Sequence, residues 1–179
     1  MFYRSDKEIC DVIKGFEERT LLKSDWTHSA HLTVALYYCV VHPFGVAKNL
    51  MSDGICWLND RHGTANSDTS GYHETLTTFW LKTVANFIAE NSRERTFFIM
   101  ANKLLTECSD SSLPFKYYRR ETLFSSEARL QFVEPDLKKH QARFASTILA
   151  LKPCVQSESD EPSGFLLGSI KRPDISIQL

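Results

Sequence analysis

Residues Trp26 to Val41 read WTHSAHLTVALYYCVV and contain the longest apolar run in the chain. The spacing of the apolar residues predicts a helix that begins near Asp25 or Thr27, either of which suits an N-cap, and ends before Pro43. The run is too short to cross a bilayer, so it predicts a helix buried in a protein core. Two histidines, His28 and His31, nevertheless stand three residues apart at the start of this helix.

Helical patterns also cover most of the remaining chain. Ser5 and Glu8 form a capping-box pattern ahead of a first helix. Apolar spacing indicates further helices at about 46–60, 72–91 and 95–108, a short one after Ser125 or Ser126, and another within 139–151. The helix at 46–60 is expected to bury one side formed by Ala47, Leu50, Met51, Gly54, Trp57 and Leu58.

The chain of 179 residues fits one main domain. Convincing alternating strands are absent from the helical part, so the predicted fold class is all-α, an irregular bundle of five or six helices. Residues 1–152 are expected to form this single domain. Residues 153–179, which contain Pro, Ser and Gly, are expected to form a flexible C-terminal tail.

Composition narrows the classes of function. Lys and Arg total 21 against 22 Asp and Glu, for a formal net charge of −1. Without a basic excess we expect no nucleic-acid partner, and without a long apolar segment no membrane. The N-terminus does not resemble a signal peptide. The five cysteines show no paired spacing, which predicts buried thiols in a reducing compartment, the cytoplasm.

Three histidines are predicted to converge between the second and fourth helices. His28 aligns at helical spacing with Leu32 and Ala35, and His31 lies on the same side. His73 aligns in the same way with Thr77 and Trp80 in the fourth helix. The three imidazoles therefore point into the core, where each ring nitrogen needs a partner.

A divalent metal would satisfy one nitrogen of each ring at once. His28, His31 and His73 without a thiolate suit a zinc site with an open fourth position. Glu74, or a carboxylate from Glu121 or Glu127, would favour iron or manganese instead. Glu74 could also act as the acid–base group of a metal-dependent hydrolase or oxidase, or simply as an acidic residue in a helix's first turn. The second shell is expected from Thr27, Thr77 and Asn66.

Two other interpretations stay open beside the metal site. In the first, the same pocket holds a small apolar or aromatic ligand without metal, with the histidines as hydrogen-bond donors. In the second, the histidines are satisfied core residues of a structural or partner-binding bundle. The residues expected to line a ligand pocket are Trp26, Tyr72, Trp80 and Phe97.

Three segments together resemble a family of small bacterial helical proteins of unassigned function. They are DWTHSAHLTVALYY, GYHETLTTFW and ETLFSSEARLQFVEPDL, and the resemblance spans about residues 22–137. It implies that His28, His31, His73 and Glu74 belong to one shared feature, together with Glu121 and Arg129. It implies no particular reaction.

Overall fold

A computed structural model describes residues 2–94 and 96–138, and this part of the chain is all-helical, which confirms the predicted fold class. It contains more helices than predicted, because the stretch after 110 forms short ones. The predicted helix at 139–151, the domain boundary at 152 and the tail lie outside the described residues. The elements are α1 (Asp6–Glu17), α2 (His28–Val41), α3 (Phe44–Arg61), α4 (Glu74–Glu90), α5 (Phe97–Glu107), a 3₁₀ helix (Leu113–Lys116), α6 (Arg120–Leu123) and α7 (Ser126–Leu130).

The apolar helix α2 lies at the centre and packs against α1, α3, α4 and α5. Its cap is Thr27, whose hydroxyl accepts the amide N–H of Ala30 at 3.3 Å. Residues on every side of α2 are buried, among them Leu32, Val34 and Leu36, which the neighbouring helices exclude from water. Across the described ranges, no helix has the length and apolarity to cross a membrane.

The buried side of α3 is narrower than predicted. Ala47, Met51 and Leu58 are buried as expected, and Ile55 completes the stripe. Leu50 and Trp57 instead remain 37% and 52% exposed, because they lie beside the stripe that meets the neighbouring helices. The guanidinium of Arg19 lies over the Trp57 ring, with its Cζ 3.8 Å from the ring centroid.

Gly54 allows α1 and α3 to approach closely. A Cβ added at this position would lie 2.2 Å from Cζ of Phe16, an aromatic ring that is 1% exposed. Because the ring is enclosed by the core, it has no space into which to move. A residue with any side chain would therefore force the two helices apart.

We expect Gly54→Ala to lower the free energy of unfolding by about 1–3 kcal/mol, since overpacking at Phe16 outweighs the better helix propensity of alanine. The control is Gly45→Ala in the same helix, where an added Cβ meets no atom within 4 Å. Urea denaturation of both variants measures the difference. A Gly54→Ala protein as stable as Gly45→Ala would contradict this packing.

Candidate functional site

A cleft of about 380 Å³ lies between α2, α3, α4 and the loop that joins α3 to α4, and it is partly open to solvent. Six of the residues that the sequence placed at a metal site or ligand pocket line it: Trp26, His28, His31, Tyr72, His73 and Trp80. The remaining lining residues are Ala35, Met51, Ile55, Asn59, Gly71, Leu76, Thr77 and Leu81.

Phe97 does not line this cleft, so its predicted place in the pocket is wrong. Phe97 is buried on α5, where its ring meets the edge of Tyr37 at a centroid distance of 6.5 Å. Tyr37 follows His28 by nine residues, which places it about 180° around α2 from that histidine. Phe97, at the start of α5, therefore packs on the side of α2 away from the cleft.

His31 is held against the wall of the cleft through one ring nitrogen. Its Nδ1 lies 2.8 Å from the carbonyl oxygen of Thr27. A carbonyl only accepts, so Nδ1 carries the proton and Nε2 carries the lone pair. The imidazole stacks on Trp26 with ring centroids 3.7 Å apart. Burial lowers the pKa of His31 to about 4, against the opposing effect of the hydrogen bond to Thr27.

His28 uses the other tautomer. Its Nε2 lies 3.0 Å from the carbonyl oxygen of Cys108 at the end of α5, so Nε2 donates, and in the neutral ring Nδ1 carries the lone pair. The ring packs edge-on against Trp80 at a centroid distance of 4.6 Å. Within the described part of the chain, neither His28 Nδ1 nor His31 Nε2 has a hydrogen-bond partner.

His73 is fully engaged, in contrast to the other two histidines. It is the N-cap of α4 rather than a residue of its first turn, and its Nδ1 accepts the amide N–H of Leu76 at 3.3 Å. Its Nε2 donates to the carbonyl oxygen of Leu123 at 2.9 Å. Burial lowers the pKa of His73, which favours the neutral ring that this pair of bonds requires. The residue joins the start of α4 to the end of α6.

Glu74 lies beside the cleft, not in its lining. Its carboxylate forms an ion pair with Lys48 of α3 at 2.5 Å and accepts hydroxyl protons from Tyr72 at 2.7 Å and Thr78 at 3.1 Å. Burial opposes ionisation here, but these three donors overcome it and lower the pKa of Glu74. The acid–base role remains a prediction, and the geometry makes Glu74 a positioning residue for the Tyr72 ring.

The loop wall of the cleft is fixed by hydrogen bonds to main-chain groups. The side-chain oxygen of Asn66 accepts the main-chain N–H of Tyr72 at 3.0 Å. The side-chain N–H₂ of Asn66 donates to the main-chain carbonyl of Cys56 at 3.1 Å. Arg129 of α7 donates to the carbonyl oxygens of Gly71 and Tyr72, both at 3.2 Å. Gly71 adopts a φ of 72°, and a Cβ there would lie 2.4 Å from the Ala65 carbonyl oxygen.

These positions bear on the predicted second shell and on the shared feature implied by the family resemblance. Thr27 contacts His31 as expected, although through its main-chain carbonyl. Asn66 and Arg129 hold the loop rather than a histidine ring. Glu121 is exposed and lies outside the cleft lining.

The predicted metal site at His28, His31 and His73 would need one available nitrogen from each ring. His73 has both nitrogens in hydrogen bonds. In residues 2–94 and 96–138, no three His, Cys, Asp or Glu side chains form a group that could hold a metal ion. A zinc, iron or manganese site here therefore remains a prediction from the sequence, and as folded His73 would have to give up a bond to join it.

The sequence interpretation missed the contribution of α3 to the cleft. Met51, Ile55 and Asn59 all line it and succeed one another at intervals of four residues, so they share one side of the helix. Asn59 therefore extends the buried stripe of α3 by one turn. A polar residue at the end of an apolar stripe was the signal that could have identified it.

Comparisons of the chain with protein-family models, curated proteins and solved structures found no match. The resemblance to a bacterial helical family remains a prediction. Any function for the cleft has to be argued from its geometry.

We expect His31 to make the fold less stable in mild acid. An unfolded histidine has a pKa of about 6.5, so between there and pH 4 the unfolded chain binds a proton that the folded chain does not. Stability is therefore lost as the pH falls through this window, by about 2 kcal/mol between pH 7 and pH 5.

Urea denaturation at pH 7 and pH 5 measures this loss, with His31→Gln as the control because glutamine still donates to the Thr27 carbonyl but does not titrate. The variant should lose about 2 kcal/mol less than the natural chain over the same interval. Equal losses in the two proteins would show that His31 is not the group responsible.

Proposed function

We propose that this protein binds a small, ring-containing organic molecule in the cleft between α2, α3 and α4. The observation that carries the proposal is convergence: side chains from α2, α3, α4 and the segments ahead of α2 and α4 line one cleft of about 380 Å³. A core whose histidines were merely satisfied would have no need of such an opening. Ligand sites are typically concave, mostly apolar and equipped with a few polar groups.

The volume supports a ligand larger than one ring. An apolar cavity of about 150 Å³ in a protein core takes up benzene. The cleft, at about 380 Å³, is more than twice that size. Fused bicyclic compounds and substituted single rings therefore fit, whereas a metal ion with its water would leave most of the space unfilled.

The aromatic walls are rigid before any ligand enters. Trp26 contacts both His31 and the buried ring of Phe16, whose centroid lies 4.8 Å from it. Trp80 contacts His28 on one side and the buried Phe79 at 5.5 Å. Two indoles that are already fixed by their neighbours lose little conformational entropy on binding, which favours affinity for flat molecules.

A fragment screen tests the proposal with a variant that fills the cleft. Ligand-observed NMR of aromatic compounds identifies binders. Tryptophan fluorescence then measures their binding in a Trp57→Phe background, where the two remaining tryptophans, Trp26 and Trp80, both line the cleft. Thr77→Phe places a ring into the cleft. Its matched control is Thr83→Phe, six residues further along α4 and outside the lining.

We expect dissociation constants that rise at least about tenfold in Thr77→Phe, since occupying the space blocks the ligand, and that change little in Thr83→Phe. Thermal unfolding of both variants checks that each is folded. If no compound binds, or if every binder is indifferent to Thr77→Phe, the proposal fails and the interpretation as a structural bundle is favoured.

Metal analysis separates this proposal from the metal-dependent hydrolase or oxidase. Untagged protein purified without chelators should hold well below one equivalent of zinc, iron or manganese, because both nitrogens of His73 are already bonded. One equivalent of metal that disappears in a His28→Ala, His73→Ala double variant would contradict our proposal and support the metal centre.

A further inference from the structure

We propose, on the basis of the ligand-binding function above, that the cleft selects uncharged ring compounds whose edge carries N–H or O–H groups. The selection comes from His28 and His31, which present lone pairs to a site without charged side chains. The ligand class is thus a neutral hydrogen-bond donor, such as a hydroxylated or N–H-containing fused ring.

Both histidines use a ring N–H in a hydrogen bond within the protein. His28 donates from Nε2 to Cys108, and His31 donates from Nδ1 to Thr27. What each ring has left is an acceptor nitrogen. In His31 this Nε2 lies at the outer edge of a ring whose Nδ1 points back to its own helix, so it is the atom that a ligand in the cleft would meet.

Two other polar groups of the lining also have a donor engaged by the protein. Asn59 donates one N–H of its side-chain amide to the side-chain oxygen of Asn66 at 2.8 Å, and its carbonyl oxygen is an acceptor. The hydroxyl proton of Tyr72 goes to Glu74 at 2.7 Å. The indole N–H groups of Trp26 and Trp80 are donors in the same lining, so a ligand can also carry acceptors.

Charge is what the cleft excludes. None of the described residues that line it is Asp, Glu, Lys or Arg. An anion would enter a largely apolar site, lose its water and face the lone pair of the neutral His31 ring, with no Lys or Arg in the lining to compensate. A cation would lose its hydration in the same way, and the nearest carboxylate, Glu74, is already paired with Lys48.

Four indoles of similar shape test the inference: 5-hydroxyindole with two donors, indole with one, 1-methylindole with none, and indole-5-carboxylate as the anion. Dissociation constants come from ligand-observed NMR titration of the whole chain at pH 7. We expect 5-hydroxyindole to bind at least about tenfold more tightly than 1-methylindole, with indole between them and the carboxylate weakest.

The variant His31→Phe identifies the acceptor. Phenylalanine keeps the stack on Trp26 but has no nitrogen, so the preference for 5-hydroxyindole over 1-methylindole should shrink to within about threefold. Thermal unfolding of the variant checks that it is folded.

Three results would overturn the inference while leaving ligand binding in place. They are equal affinity for the three neutral indoles, tightest binding of the carboxylate, or no binding by any of the four when the wider screen has given ligands that are sensitive to Thr77→Phe. A wider screen without any such ligand overturns the proposed function itself.

Discussion

An imidazole that is taken out of water must give both of its ring nitrogens a partner or leave a polar atom unsatisfied at a cost of a few kcal/mol. This constraint governs the centre of the molecule, because α2 is apolar and surrounded by four other helices. His73 meets the constraint completely within the protein. His28 and His31 meet half of it each, and their second nitrogens belong to residues that line a cleft. The cleft is where those nitrogens can find water or a ligand.

The cleft stays open because the segment above it is fixed from several directions. Asn66 ties the loop to the end of α3, and Arg129 ties it to α7. Glu74 holds the Tyr72 hydroxyl while Lys48 neutralises the carboxylate. A loop with fewer such bonds would be free to collapse onto the apolar walls. The charged residues of this region therefore hold the loop in place from outside the cleft, and the lining itself contains no Asp, Glu, Lys or Arg.

Much of the fold could be predicted from local signals. Periodicity and caps identified five helices, and Ser5 caps α1 and Thr27 caps α2 as their side chains suggest. The short helix α7 begins at the predicted place, but the 3₁₀ helix and α6 were missed because four residues hold too little of a pattern. Leu50 and Trp57 were misplaced because their burial depends on which side of α3 meets its neighbours, and a single helix does not encode that.

The candidate site was predictable in its members but not in its bonds. Helical spacing brought His28, His31 and Trp80 to one place, and the structure has them lining one cleft. The partners of the histidines are main-chain carbonyls 4, 50 and 80 residues away, which carry no residue-specific signal. Convergence alone therefore left a metal ion and a hydrogen-bonded pocket equally open. The two interpretations are distinguished by which hydrogen bond each ring nitrogen makes.

The most direct test is the protonation state of each imidazole, read from its ¹⁵N chemical shifts in long-range ¹H–¹⁵N spectra of the labelled protein at pH 7. The hydrogen bonds place a proton on Nδ1 of His31 and on Nε2 of His28 and His73. His31 is neutral because burial lowers its pKa to about 4, and His73 is neutral because its Nδ1 accepts the amide N–H of Leu76. A charged ring at His31 or His73, the opposite tautomer in either, or shifts typical of metal-bound nitrogens would contradict the account.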